Sequence, residues 1–598
     1  MLSAEIESAE NLLSSLSSGV LGRCISNQSM AEGSLVVDSV IKDKYLGGET
    51  TLDTLLNKIR MVKTDALFFD IFMDSEKENR LSLMGQKLSV MIEKEVSDIA
   101  SRMVEISAPD VEVVLKRIEK IKDISWCISR EILENISRIR QLLINGSSPV
   151  SMSQVLAFKR INAVLNSVDR LEVRGRDSAG ISLLFILTRS QFENFRKEML
   201  SAGHGDQLKQ RTNKTVLVNN CITIHNVSAV IQDSAVKQNH SGGGCATTVN
   251  DDDHTTALPD NDPITAVDIS TNKPENHVAI SIVYKYAAEI GSLGDNVAFI
   301  RTQIRNDQIL QILTRFPSVF STISAHTRWA SVGDITQANC HPVDNEPTDT
   351  LVKRSGIIHV SLNGDIDNYP ELKKEYESRF DSIHSDITTD TKIIPLQIEL
   401  YLRQGHPVEE AFRLALNDFH GSHAISMHTD LAPGKLFLAQ KGSGQAIFAG
   451  ISPNHYITAS ELYGLVEETQ KFIKLNGEKK GQILILDQNS EGGVAGMRSF
   501  DYDGSPIEIC EQNIQHSEIT SRDIDRQMFP HYFLKEISES PLSVTKTLQN
   551  KWKISPDTGL YTMNLSRSVI PESIESDLKQ GIIKKIYFIG QGTAGIAA

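Results

Sequence analysis

The sequence predicts a mixed α/β (α+β) protein, and three observations carry this prediction. Residues up to about 148 repeat apolar side chains at helical spacing. Short apolar segments between 181 and 486 alternate with helical stretches and have the length of strands. An apolar segment followed by a glycine-rich turn stands at 586–595, as where a strand leads into a helix. Helices and sheets are therefore both expected to build the core.

The first 150 residues are predicted to form a helical extension. One helical face carries Leu52, Leu55, Leu56 and Ile59. Two longer apolar stripes consist of Leu88, Ile92, Val96, Ile99 and Met103, and of Ile128, Ile132, Ile136, Ile139 and Leu143. The pair Asn145-Gly146 is a C-cap signal. Such stripes are typical of a bundle or a docking surface, and we favour a packing extension over a regulatory or oligomerising role.

A second domain is predicted over 151–490, with strands in mainly antiparallel hairpins. The segment Ile181–Leu187 is predicted to be a buried strand, and Pro407–Leu416 a helix. Further strands are predicted at 278–283, 356–360, 423–427, 435–439 and 482–486. Residues 203–277 are polar and rich in Gly, Asn, Asp and Thr, so we expect a flexible insertion there.

Three short motifs in this domain describe a binding site for an amino acid. Arg328, beside the flat indole of Trp329, can hold a carboxylate with two parallel hydrogen bonds. The side-chain amide of Asn363 and the backbone N–H of Gly364 can form an oxyanion hole. Asp390 can pair with an ammonium group. The ligand that these groups describe together is glutamine, whose side-chain amide would be the reacting carbonyl.

Each motif also has a simpler interpretation. Asn-Gly pairs such as Asn363-Gly364 are usually tight turns. Asp390, ahead of an apolar run, can be a helix cap. Arg328-Trp329 alone would be a stacking pair on the surface. The functional interpretation depends on the order and spacing of all three motifs.

These motifs resemble the glutaminase domain of class II (N-terminal nucleophile) amidotransferases, within them the glutamine–fructose-6-phosphate aminotransferases. The segment 171–180 looks like the arginine turn of that family, with Arg174 as a further glutamine-binding residue. The segments 518–525 and 531–537 look like the start of the family's sugar isomerase (SIS) half. The resemblance implies a four-layer αββα sandwich, and transfer of the glutamine amide nitrogen to fructose 6-phosphate to give glucosamine 6-phosphate.

The resemblance also implies a nucleophile, which is a cysteine at the mature N-terminus that uses its own α-amino group as the base. The sequence opens Met1-Leu2-Ser3-Ala4, and none of its six cysteines matches that position. Two hypotheses therefore stand. The first is an aminotransferase-like enzyme, and the second is a glutamine-binding or regulatory relative without catalysis.

The isomerase half is expected over 511–598, as a linker and the first part of a truncated doubly wound domain. Ile586–Ile589 is predicted to be a buried strand, and Gly592, Thr593 and Ala594 in the turn after it to bind the sugar phosphate. One phosphate loop is too little for sugar conversion, so we expect an incomplete sugar site. In the family, homo-oligomers form through this half.

Composition limits the classes of partner. The 61 Lys and Arg residues against 76 Asp and Glu residues give a net charge of -15, which argues against nucleic acid as a partner. Six scattered cysteines indicate neither disulfides nor a zinc site. No leader or long apolar stretch is evident, so a cytoplasmic protein without membrane contact is expected. No cofactor and no metal are predicted.

Overall fold

The structure is a computed structural model that forms two compact units, Met1–Asp523 and Ile524–Ala598. It describes residues 2–16, 43–102, 108–144, 149–172, 175–212, 214–227, 277–288, 294–346, 354–380, 382–548, 552–554, 560–563 and 571–587. The predicted site residues Arg174, Gly592, Thr593 and Ala594 lie outside these ranges, as do Cys24, Cys245 and the predicted C-cap at Asn145-Gly146.

The first unit contains most of the helices. In chain order these are α1 (Leu2–Leu16), α2 (Glu49–Met61), α3 (Asp65–Met73), α4 (Ser75–Arg102), α5 (Ala108–Trp126), α6 (Asn135–Leu142), α7 (Met152–Leu171), α8 (Arg189–Ser201), α9 (Gly205–Thr212), α10 (Asp295–Asn306), α11 (Gln308–Leu313), α12 (Tyr369–Arg379), α13 (Ile393–Arg403), α14 (Val408–Asp418) and, at its end, α15 (Ser521–Ile524). A π-helical segment, Cys127–Glu134, joins α5 to α6.

In the described ranges of this unit, fifteen strands form three antiparallel sheets. They are β1 (Ser178–Thr188), β2 (Cys221–Val227), β3 (His277–Ala287), β4 (Phe320–Arg328), β5 (Val343–Asp344), β6 (Ile358–Gly364), β7 (His423–Thr429), β8 (Lys435–Lys441), β9 (Phe448–Ile451), β10 (Tyr456–Ala459), β11 (Lys471–Lys474), β12 (Gln482–Asp487), β13 (Met497–Asp501), β14 (Pro506–Ile507) and β15 (Gln515–His516). The first sheet has the order β2-β3-β1-β4, the second β14-β13-β12-β8-β7-β6-β5, and the third β10-β9-β11-β15.

The alternation of side chains along each strand shows how the layers stack. In β1, Leu183 and Phe185 belong to the core shared with the N-terminal helices and α7. Ser182, on the opposite face of β1, is hydrogen bonded to His359 on β6 and His428 on β7. The first two sheets therefore pack face to face, with helices on the outer face of the first.

The second sheet has the complementary pattern. Its Ile358, Ile425 and Phe437 pack with α12, α13 and α14 in a separate core on its outer face. Its inner face also receives the third sheet, because Ala424, Leu438 and Leu486 share a cluster with residues of β9 and β11. The first and third sheets thus both lie against the inner face of the second sheet.

Most sequence-based elements are confirmed within the described residues. Leu52, Leu55, Leu56 and Ile59 are buried on α2, and the whole stripe from Ile128 to Leu143 is buried. The predicted strands in 181–187, 278–283 and 423–486 all lie in strands of the three sheets. Every pairing between these strands is antiparallel.

The stripe predicted on α4 is shifted by one residue at its centre. Val96 is 43% exposed, whereas its neighbour Glu95 is buried together with Leu88 and Ile99. Because residues seven apart in an α-helix share a face, Leu88 and Glu95 lie on the same side. The predicted stripe assigned Val96 to that side because it assumed that only apolar residues are buried.

The flexible insertion predicted over 203–277 is wrong for the part that is described before residue 228. Its first part forms α9 and the edge strand β2, which pairs with β3 from Cys221↔Val283 to Val227↔His277. Leu208, Leu217 and Ile222 are buried there. These few apolar side chains are enough to fix a short helix and one strand against an existing sheet. Residues 228–276 lie outside the described ranges.

The second unit holds helices α16 (Tyr532–Leu548) and α17 (Glu572–Lys579) and a hairpin of β16 (Trp552–Ile554) and β17 (Tyr561–Met563). The strand predicted at Ile586–Ile589 is wrong for the two residues described. Ile586 and Tyr587 form no strand and are 63% and 77% exposed. Apolar side chains alone do not make a strand, since the backbone also needs a neighbouring strand to pair with.

None of the helices in the described ranges combines the length and the apolar character that crossing a bilayer requires.

Candidate active site

Arg328 is the last residue of β4 and is only 4% exposed. Its guanidinium donates hydrogen bonds to the backbone carbonyls of the loop that follows, from Nη1 to Asp334 at 3.1 Å and from Nη2 to Val332. Burial lowers the pKa of Arg328, which nevertheless stays charged. The five N–H groups of a guanidinium are not all used by these contacts. Because Arg328 is buried whereas Trp329 is 71% exposed, the two side chains do not form a stacking pair on the surface.

The segment around Asp177 is held directly against Arg328. The backbone N–H of Asp177 donates to the Arg328 carbonyl at 3.2 Å. The Asp177 carboxylate accepts from the backbone N–H of Ala330 at 2.8 Å. Gly175 touches the backbone at Thr327 so closely that a side chain there would collide with it. Two of the sequence motifs are thus joined, although Arg174 itself lies outside the described residues.

Asn363 and Gly364 are the last two residues of β6, paired with Ala424 and His423 on β7. They form strand backbone and not the tight two-residue turn of the simpler interpretation. Gly364 has a φ of +116°, and a Cβ built on it would approach the Ser422 carbonyl oxygen to less than 3.0 Å. Only glycine fits this backbone conformation without strain. Asn363 is exposed and lines the cavity described below.

Asp390 opens a short 3-10 helix, Asp390–Lys392, that leads into α13. The cap of this helix is Thr389, whose hydroxyl accepts from the Thr391 N–H. Asp390 instead accepts a hydrogen bond at 2.9 Å from the backbone N–H of Ile366, two residues after the end of β6. Burial raises the pKa of Asp390, and the nearby Asp365 raises it further. A cationic partner would stabilise its ionised form.

Two buried side chains hold these pieces together. His341 lies between β6 and the Asp390 helix, because its Nε2 is 2.8 Å from Thr391 Oγ1 and its Nδ1 accepts from the Leu362 N–H at 3.4 Å. Burial holds the pKa of His341 well below its usual value, so the ring is neutral. These contacts indicate a structural role for His341.

Asn339 is the second of these side chains, and sequence reasoning did not find it. Its amide nitrogen donates to the Asp334 carbonyl at 3.1 Å, and its oxygen accepts from the Thr388 and Thr389 N–H groups at 2.8 and 3.1 Å. It thus connects the loop that holds Arg328 to the loop that carries Asp390. The only signal in the sequence is its position beside Cys340-His341-Pro342.

The site residues line one cavity of about 1200 Å³ in the first unit. Arg328, Trp329, Asn363, Gly364 and Asp390 all belong to its wall. A buried guanidinium, a buried carboxylate and an Asn-Gly pair at a strand end therefore open into a shared space. Groups of these types can bind a carboxylate, an ammonium and an oxyanion, respectively.

The cysteines in the described ranges do not reach this wall. Cys127, Cys221, Cys340 and Cys510 are free thiols, and none of the four lines the cavity. Burial raises the pKa values of Cys127, Cys221 and Cys340, which keeps these thiols protonated. Within the described residues, the cavity wall therefore contains no thiol.

Comparison with known proteins adds an independent result. The chain is 30% identical over 269 residues to a glutamine–fructose-6-phosphate aminotransferase [isomerizing] of Bacillus cereus, which covers 45% of this chain and 39% of the relative. It is 34% identical over 224 residues to the protein of that name from Methanothermobacter thermautotrophicus, covering 38% and 34%. The chain thus spans about two fifths of the length of the curated relatives it matches. No family model matches it.

Two solved structures resemble part of this chain at low similarity. One is a glutamine phosphoribosylpyrophosphate amidotransferase from B. subtilis, 20% identical, with a TM-score of 0.24 over 32% of this chain and 36% of that one. The other is described as the allosteric regulatory enzyme of purine biosynthesis, 15% identical, with a TM-score of 0.30 over 57% and 46%. The sequence comparison is the stronger finding, and it confirms the resemblance of this chain to the glutamine–fructose-6-phosphate aminotransferases.

Proposed function

We propose that this chain binds glutamine as the amidotransferase part of a glutamine–fructose-6-phosphate aminotransferase-like protein. The observation that carries the proposal is the convergence of Arg328, Asp390 and the Asn363-Gly364 pair on one cavity wall. By their names, the relatives described above transfer an amino group from glutamine to fructose 6-phosphate. The similarity of this chain to them supports fructose 6-phosphate as the acceptor. The second hypothesis, binding without catalysis, has no support from these names.

The proposed pose assigns each end of glutamine to one group. The α-carboxylate would meet the unused N–H groups of Arg328, and the α-ammonium would meet Asp390. The side-chain carbonyl would then point to Asn363 and Gly364, which can donate hydrogen bonds to an oxyanion. His341 and Asn339 would position these groups through their hydrogen bonds.

The two facing sheets also support a finer assignment of the fold. Helices cover the outer face of the first sheet and the outer face of the second sheet, and polar side chains such as Ser182 and His359 meet between the sheets. We infer that this part of the unit is an αββα sandwich of the N-terminal-nucleophile type. The sugar-phosphate loop and assembly through the isomerase half remain proposals from the resemblance.

Binding and transfer can be tested separately. We expect calorimetry to detect L-glutamine binding, and weaker binding of analogues that lack either the α-carboxylate or the α-amino group, because each loses one anchor. The absence of heat with millimolar glutamine would contradict the binding site. Mass spectrometry of the protein supplied with glutamine and fructose 6-phosphate tests transfer, and the appearance of a hydrolysed or transferred amide would contradict the non-catalytic hypothesis.

Glutamine binding should weaken on acidification. The loss should occur at a higher pH than if the ion pair depended on an aspartate with an ordinary pKa. The ion pair requires the ionised form of Asp390, whose pKa burial raises. The affinity for glutamine is therefore highest at pH values above this raised pKa, and it is lost as the pH falls through it. Calorimetry from pH 7 down to about pH 4 measures the effect.

The matched variant for this pH dependence is Asp390→Asn. It keeps the shape of the side chain but removes the charge, so we expect weak binding at every pH and no acid-dependent loss. A variant whose affinity still fell with acid along the original curve would show that another group titrates.

A further inference from the structure

The described part of the cavity wall carries an excess of negative charge. Its carboxylates are Asp65, Asp365, Asp390, Glu461, Glu468, Asp487 and Glu491, and its basic side chains are Lys159, Arg160 and Arg328. Lys159 and Arg160 both contact Asp65. In that part of the wall, Arg328 is therefore the basic side chain that remains for a ligand. A cleft lined mainly by one sign of charge concentrates the electric field inside it and selects ligands by their charge.

The two histidines near Arg328 add no positive charge at neutral pH. His326 and His341 both line the cavity, and their ring centroids are 4.5 Å apart. Burial lowers the pKa of His326 to about 4 and holds the pKa of His341 well below its usual value. The charge at this end of the cavity is therefore set by Arg328 and the carboxylates around it.

Asp365 is the carboxylate next to the proposed oxyanion hole, because it directly follows Gly364 in the chain. Its side chain is exposed, lines the cavity and accepts a hydrogen bond from Ser331 Oγ at 2.8 Å. The backbone N–H of the next residue, Ile366, donates to Asp390. Burial raises the pKa of Asp390, and the negative charge of Asp365 raises it further. Asp365 thus lies beside both the ammonium anchor and the oxyanion donors.

The proposed oxyanion hole does not by itself distinguish glutamine from glutamate. The two molecules have nearly the same shape, and hydrogen-bond donors that stabilise an oxyanion also bind a carboxylate. Rejection of glutamate therefore requires a repulsive element near the side-chain end of the ligand. The carboxylate of Asp365, one residue from the Gly364 N–H, has both the charge and the position for this repulsion.

We propose that Asp365 is a specificity-determining residue that makes the cavity reject amino acids with an anionic side chain, and glutamate in particular. This role of Asp365 rests on the proposed function and adds a selection by charge to the same site. Glutamine becomes glutamate when it loses its amide nitrogen, and the new carboxylate would face Asp365. The same repulsion therefore promotes the departure of glutamate from the site.

Three ligands separate the effect of charge from that of shape in calorimetry on the full chain at neutral pH. L-glutamine and the γ-methyl ester of L-glutamate have neutral side chains, whereas L-glutamate has an anionic one. We expect the ester to bind within about threefold of glutamine, and glutamate to bind at least about tenfold more weakly than glutamine. Glutamate that binds as tightly as glutamine would overturn the proposal. An ester as weak as glutamate would also overturn it, because the missing amide N–H groups would then explain the loss.

The matched variants are Asp365→Asn and Asp367→Asn, each of which removes one carboxylate from the same segment. Asp367 is also exposed but is not part of the cavity wall. We define the specificity ratio as the Kd for glutamate divided by the Kd for glutamine, so that any general change of the site cancels. This ratio should fall about tenfold in Asp365→Asn and stay unchanged in Asp367→Asn. Asp365→Glu keeps the charge and should keep most of the ratio.

Failure of the proposed function and failure of this role of Asp365 give different results. No binding of glutamine to the unmodified chain would overturn both. Glutamine binding with an unchanged specificity ratio in Asp365→Asn would overturn the role of Asp365 and leave the glutamine site intact. Thermal unfolding shows whether each variant folds, and Asp365→Ser, which also lacks the charge, takes the place of Asp365→Asn if that variant does not.

Discussion

Replacing Arg328 by alanine is expected to weaken glutamine binding by about 2–4 kcal/mol, or roughly 30- to 700-fold. Arg328 is buried, so its charge is poorly screened by water and its pairing with a carboxylate is strong. The same guanidinium also holds the carbonyls of Val332 and Asp334. Its loss therefore removes the anion anchor and loosens the loop beside it. Calorimetric titration of both proteins with glutamine measures the difference.

Two further variants separate the charge from general damage. Arg328→Lys keeps the positive charge but lacks the planar fork, so it should recover only part of the affinity. Arg379→Ala removes an arginine whose side chain is 58% exposed and pairs with Glu375 on the same helix, and it should leave binding unchanged. Equal affinity of Arg328→Ala and the unmodified chain would remove Arg328 from the proposed site.

The sequence predicted those parts of the fold that depend on local patterns. The stripe from Ile128 to Ile139 follows from helical spacing, because one buried face fixes the period. The strand Ile181–Leu187 follows from a short apolar run, which is buried along its whole length. Where burial includes a charged residue, as at Glu95, hydropathy misplaces the face. Strand β2 was missed because its neighbours in sequence are polar, and it is ordered by pairing with β3 instead.

The site was predictable in its chemistry but not in its connections. Arg328, Asn363 and Asp390 each follow or open a regular element, and their side-chain types suggest an amino acid ligand without any coordinates. The Asn339 bridge could not be predicted, since it joins two loops that only the folded chain brings together.

Replacing Gly364 by alanine should damage both stability and the oxyanion hole. The added Cβ would lie less than 3.0 Å from the Ser422 carbonyl oxygen, and the φ of +116° is unfavourable for any residue with a side chain. Since Ser422 precedes the paired strand β7, the main chain of β6 or β7 must move. We expect a loss of about 1–3 kcal/mol in the free energy of unfolding, measured by urea denaturation.

The matched control is Gly405→Ala, because Gly405 also has a positive φ of +89° but a Cβ added there would meet nothing within 4 Å. The loss of stability in Gly405→Ala reports the unfavourable backbone conformation alone. The difference in unfolding free energy between the two variants therefore measures the collision with Ser422. That collision displaces the Gly364 N–H, one of the two donors proposed for the oxyanion. We therefore expect Gly364→Ala to lose glutamine affinity at temperatures where it is still folded, and Gly405→Ala to keep it. Equal stability losses in both variants would show that the strand edge at Gly364 yields without cost, and that close approach of β7 does not explain why glycine stands at the end of β6.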